Sequence, residues 1–128
     1  MDLNATLDAI AEVCTDVVAS SRTWRPGFEN AGVATSVEPI AFERRAFGLN
    51  RYMLEAELFL TVQGADERSR QLRAHEVALQ LQRELDAATW AAVPSIDSLC
   101  VRETRFIRAA ADSAGGAVLT LDVEVIWS

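Results

Sequence analysis

Apolar positions recur along this chain with two different periods, and the switches between them mark out the elements. From Ala65 to Trp90 the period is helical: Ala74, Val77, Ala78, Leu81, Leu85 and Ala88 follow one another at three- and four-residue steps and make one apolar stripe. Asp66 and Glu67 sit at the start, where the helix dipole favours negative charge. No residue inside breaks the helix, and Pro94 stops any continuation. The opposite side is mixed: Leu72 and Leu79 stand among His75, Glu76, Arg83 and Asp86. One face of this helix therefore suits a sheet, and the other suits a neighbouring subunit. A second stripe, Leu3, Leu7, Ile10, Ala11, Cys14, Val17 and Val18, predicts a first helix over 2–21, with Asp2 or Asn4 as its cap.

Between the helices the period falls to two. Residues 35–47 read as a strand interrupted by Pro39, which points to an edge position or a bulge. A turn follows at Gly48 to Asn50. Residues 52–63 alternate most cleanly: Tyr52, Leu54, Ala56, Leu58, Leu60 and Val62 against Met53, Glu55, Glu57, Phe59, Thr61 and Gln63. The first set is expected to face the helices and the second to face outward. After the long helix come a strand over 98–109, a small-residue turn at Asp112 to Gly116, and a strand over 117–127 with Leu119, Leu121, Val123, Val125 and Trp127 on one side. The order is αββαββ. It predicts a single α+β domain over 1–128, with two hairpins in a four-stranded antiparallel sheet and both helices on one face.

The outward positions combine charge with large apolar groups. Glu55 and Glu57 lie on the second strand, Arg102 and Arg108 on the third, and Asp122 and Glu124 on the fourth, so opposite charges can pair across the sheet or between subunits. Phe59, Phe106 and Ile126 are placed on the same outward face, a candidate interface. The expected subunit-interface residues are thus Leu72, Leu79, Arg83, Phe59, Phe106 and Ile126. Arg44, Arg45 and Phe47 at the hairpin end, with Arg51 and the loop residue Trp24, are the expected contacts to a tube or connector. The loop Arg22–Ala34 carries Trp24, Arg25 and Phe28, aromatics that either dock a partner or fold back over the core edge.

Composition narrows the classes of function. The chain has 128 residues, half of them apolar, enough for one core that buries about two thirds of the unfolded surface. No apolar run is long enough for a bilayer span, and the acidic MDLNATLDAI start is unlike a secretory signal. A formal charge of −7 opposes binding by phosphate neutralisation. Every basic residue is arginine, which reflects either coding bias or the value of arginine's bidentate fork at interfaces. Cys14 and Cys100 lack a motif and read as buried thiols. The lone His75 cannot build a His-rich zinc site, HEVAL lacks the second His of a zincin, and Gly115 and Gly116 belong to a turn. No GxSxG elbow occurs, and the carboxylate pairs follow from polar alternation. No cofactor and no enzymatic activity are expected.

The hairpin ERRAFGLNRYMLEAELFLTVQG, the helix directly after it and the terminal strand AVLTLDVEVIWS together resemble the tail terminator proteins of long-tailed bacteriophages. The resemblance lies in the order of elements and covers most of the chain. It implies a homohexameric ring at the head–tail junction of the virion, assembled in the host cytoplasm. Such a ring halts tail-tube polymerisation, contacts the tube protein and offers a surface to the head connector. Its acidic lumen lets DNA pass without specific binding. Two alternatives stand beside it. One is a small ligand-binding protein or enzyme of dimeric-barrel type, for which Tyr52, His75 and scattered carboxylates are the only polar candidates. The other is an adaptor of a phage-like secretion or contractile system.

Overall fold

The computed structural model describes residues 3–21, 33–44, 50–63, 66–90, 92–107 and 115–126. The elements run α1 (Leu3–Thr15), β1 (Ala19–Ser21), β2 (Val33–Arg44), β3 (Arg51–Val62), α2 (Glu67–Ala87), β4 (Ile96–Ile107) and β5 (Gly115–Ile126). The sheet order is β1-β2-β3-β5-β4. Four long strands pair antiparallel, as the two-residue period predicts, and the short β1 adds to β2 in parallel.

The helix expected over 2–21 stops earlier, and its last residues join the sheet. The amides of Val17 and Val18 both donate to the Cys14 carbonyl at 3.0 Å, which tightens the last turn. Thr15, Val17 and Val18 are β-branched and poor at extending a helix. Pairing with Ala34–Ser36 then gives the backbone of Ala19–Ser21 a better set of partners. Val17 and Val18 still pack against the core as partly buried residues, so their apolar spacing was set by the core rather than by a longer helix. On α1, Thr6, Leu7, Ile10, Ala11 and Cys14 are buried.

Asp66 caps α2, with its Oδ1 accepting from the Ser69 amide at 2.8 Å and its Oδ2 from the Ser69 hydroxyl at 3.0 Å. These bonds stabilise the charged form and hold the Asp66 carboxyl below its ordinary value. The helix ends at Ala87, short of Pro94. Ala88 adopts an extended conformation and Trp90 turns back to pack against the core.

The core lies between the helices and one face of the sheet. Leu54, Ala56, Leu58, Leu60 and Val62 of β3 meet Leu119, Leu121, Val123 and Val125 of β5, all at most 2% exposed. From α2, Ala74, Val77, Ala78, Leu81 and Leu85 close over them. Burying Val77, Leu81 and Leu85 stabilises the fold by about 1.5–3 kcal/mol each. At the sheet end, Gly116 lies so close to the Leu60 carbonyl that an added Cβ would collide with it, so this rung requires glycine.

The outer strands are less regular than the inner two. β2 is bulged between Pro39 and Ala41, as Pro39 foretold. β4 is bulged twice, between Ile96 and Ser98 and between Val101 and Glu103. Each bulge inserts a residue and reverses which side chains face the helices. The inward set of β4 is therefore Ile96, Leu99, Val101, Thr104 and Phe106, which lie opposite Val125, Val123, Leu121, Leu119 and Ala117. A fixed alternation cannot describe that strand.

Two outcomes test this core. Leu81→Asp places an uncompensated carboxylate at a fully buried position and unfolds the domain. Leu79→Asp, on the exposed side, keeps the wild-type thermal midpoint, and a matching collapse of both variants by circular dichroism would contradict the assigned helix faces. The cap gives a pH signature. A depressed carboxyl pKa stabilises above the unfolded value of about 4 and loses that contribution as pH falls through the folded value. The stability gap between wild type and Asp66→Ala in urea is thus largest near neutrality and closes in acid.

Candidate interaction surface

The outward ridge of α2 is the most exposed apolar feature among the described residues. Leu72 and Leu79 are 56% and 54% exposed, whereas Leu81, two residues on, is 0% exposed. Arg68 and Arg83 lie along the same ridge, and Glu76 stands between the two leucines on its far flank. Grooves follow the ridge, one lined by Arg68, Gln71, Leu72 and His75, another by Glu76, Leu79, Gln80 and Arg83.

Phe106 belongs to this patch and not to the outward face of the sheet, where the alternation had placed it. The second β4 bulge turns it to the helix side, where its ring meets His75 edge-on at 4.6 Å between centroids. It remains 45% exposed, because α2 covers it only along one side. One strand position further back, the Thr104 hydroxyl donates to Gln82 Oε1 at 3.1 Å, fixing the strand under the helix. Leu72, His75, Leu79 and Phe106 thus lie together beside the β4 edge.

Phe59 and Ile126 do face outward. Both are half-buried; Phe59 lies opposite Ser36 and Val118, and Ile126 opposite Arg51. The face around them is rich in carboxylates. Glu38 lies opposite Glu57, and Glu55 opposite Asp122, like-charge pairings that disfavour the sheet. Arg102 relieves the second of these, reaching Glu55 at 2.6 Å and Asp122 at 3.5 Å. Those contacts raise the Arg102 pKa above its ordinary value. The cross-sheet pairing expected of Arg102 is thus present.

At the far end of the hairpin, the Phe42 and Tyr52 rings stack at 4.8 Å. Arg44 lies over Tyr52 at 5.6 Å and donates to its hydroxyl at 3.2 Å. Arg51 pairs with Asp97 at 3.0 Å. Arg44 and Arg51, both exposed, are therefore partly engaged within the chain. Arg45, Phe47 and Trp24 lie outside the described residues, as does Arg108.

Two further large apolar residues, Ile40 and Phe42, are exposed at 47% and 37%; Phe42 opens the hairpin segment Phe42–Phe47 that the sequence marks as a candidate contact surface, whereas Ile40 is on no expected surface. Beyond Ser36, β2 has no strand on its outer side among the described residues, and every residue from Glu38 to Arg44 is exposed. Pro39 was the available signal, since a proline and bulge in an otherwise apolar strand mark a free edge. Both free edges resist strand addition. Pro39 offers no amide, the bulges disturb the hydrogen-bonding rows, and Asp86 Oδ1 approaches the outward amide of Val101 at 3.4 Å.

Among the described residues, no group of three or more His, Cys, Asp or Glu could hold a metal, and no helix is long and apolar enough to cross a membrane. The two thiols differ, against the expectation that both are buried: Cys14 is enclosed and Cys100 is exposed on β4. Burial pushes the Cys14 pKa up to about 12. No protein-family model matches the chain, and a search of curated proteins finds no match.

A thiol reagent at pH 8 is expected to modify Cys100 at once and Cys14 only after denaturant is added. Two fast equivalents in the native protein would contradict the enclosed position of Cys14.

Proposed function

We propose that this chain is a structural subunit that works by shape, assembling with copies of itself into a ring of the kind that closes a bacteriophage tail tube. The observation that carries the reading is the ridge of Leu72 and Leu79, exposed on a helix whose other side already completes the core. Leaving two leucines and the edge of Phe106 in water is unfavourable by roughly 25 cal/mol per Å² of apolar surface, and a partner surface removes that penalty.

The rest of the molecule suits such a role. The sheet face without helices carries Glu38, Glu55, Glu57, Asp122 and Glu124. Turned toward a lumen, this face repels phosphate and lets DNA pass without being held. Arg44 and the stacked Phe42–Tyr52 pair stand at the hairpin end, available to a tube or connector protein. In this reading the tube protein and the head connector are the partners, the virion's head–tail junction is the location, and no catalysis is involved.

Light scattering at tens of micromolar is expected to show a ring-sized species, or a monomer that forms rings when tail tubes are added. Leu79→Asp lowers that assembly at least tenfold while its melting curve matches wild type. A wild-type chain that stays monomeric in the presence of tubes excludes the proposal.

A further inference from the structure

We infer that the groove between α1 and the connection from α2 to β4 receives an arginine side chain presented by a partner protein. The inference does not depend on the ring reading above, since none of the residues involved belongs to the α2 ridge. Ala9 and Val13 of α1, with Trp90 and Val93 of the connection, line the groove and also pack against the core. Glu12 and Asp16 line it too, and both are exposed.

The two walls are held together. The Thr6 and Ser95 hydroxyls share a hydrogen bond of 2.8 Å between α1 and the connection. Within the connection, the Val93 amide donates to the Trp90 carbonyl at 2.9 Å and the Ile96 amide to the Val93 carbonyl at 3.0 Å. The groove holds about 240 Å³, below the roughly 300–1,000 Å³ of sites that enclose a drug-sized ligand. It therefore suits one long side chain.

Charge names the occupant. Glu12 and Asp16 stand four residues apart on one helix face, where like charges repel. They also lie at the C-terminal end of α1, where the helix dipole disfavours carboxylates and the last turn has no basic residue. Neither forms an ion pair with a described residue. Neighbouring chain supplies no cation either. Residues 1–21 carry Asp2, Asp8, Glu12 and Asp16, residues 84–101 carry Glu84, Asp86 and Asp97, and neither stretch contains a basic residue. A guanidinium answers every part of this site. Its fork engages carboxylates, its face stacks on an indole, and its stem covers apolar surface.

The probe is acetylarginine amide, added at low salt to the isotope-labelled chain and followed by nuclear magnetic resonance, with the citrulline analogue as the uncharged control. The Trp90 indole signal, identified by its loss in Trp90→Phe, and the Val13 and Asp16 amides are expected to shift and saturate with arginine. Citrulline, which keeps the shape and loses the charge, should bind about tenfold more weakly or worse. Glu12→Gln with Asp16→Asn is expected to weaken arginine binding by a similar factor. Its melting midpoint should equal or exceed wild type, because a repulsion is removed; a pair that served the fold would lower it. Shifts that persist in that variant, that citrulline reproduces, or that spread evenly over the carboxylates of the whole chain overturn the site and leave the ring reading standing. Loss of self-association in the same variant would assign the arginine to a second copy and overturn a separate partner.

Discussion

The antiparallel ladder between β3 and β5, from Arg51 opposite Ile126 to Val62 opposite Gly115, is the constraint on which the rest of the fold depends. Its register has no shift, so every second residue of both strands falls on one face. There Leu54, Ala56, Leu58, Leu60 and Val62 meet Leu119, Leu121, Val123 and Val125. A slip of β5 by one residue would turn Leu119, Leu121, Val123 and Val125 to water and bring Asp122 and Glu124 to the core face. Exposing those apolar side chains and burying unpaired charge are both heavily unfavourable. The central pair is therefore rigidly specified, and the helices have one surface on which to pack.

The outer strands are governed by a different requirement. β4, and β2 beyond its pairing with β1, are edges among the described residues, and an edge with regular, open hydrogen-bonding rows recruits other strands without control. Pro39 and the three register shifts in β2 and β4 prevent this. The same irregularities also decide what is displayed. The second β4 bulge carries Phe106 to the helix side beside His75, and the β2 bulge falls at the exposed Ile40. Features that block indiscriminate pairing thus shape the surfaces through which an ordered assembly can be built.

Charge is distributed to the same end. Arg102 holds Glu55 and Asp122 together on the helix-free face, while no described cation pairs with Glu38 or Glu57, which lie opposite one another. On α2, Asp66 fixes the start of the helix and Arg68 and Arg83 flank the exposed leucines. Among the described residues Arg68 and Arg83, beside the exposed leucines, form no ion pair, whereas Arg105 beside Phe106 pairs with Glu103 at 3.1 Å.

Local periodicity alone determined the element order, the inward faces of β3, β5 and α2, and the exposure of Leu72 and Leu79, because each follows from a repeat carried by its own segment. The start of α2 at its acidic Asp66–Glu67 pair and an irregularity at Pro39 were legible for a similar reason, since both act through neighbouring backbone, although the cap that Asp66 makes with Ser69 was not foreseen. The end of α1 was not: Val17 and Val18 fit a helical stripe, and only the presence of β2 alongside made a strand at Ala19–Ser21 the better structure. Nor was the side on which Phe106 lies, because a bulge adds one residue without any fixed sequence mark and reverses all that follow. The distance between the exposed Ile40 and the α2 ridge was likewise decided by the sheet order, which sets β1 and β4 at its two sides and which no single segment encodes.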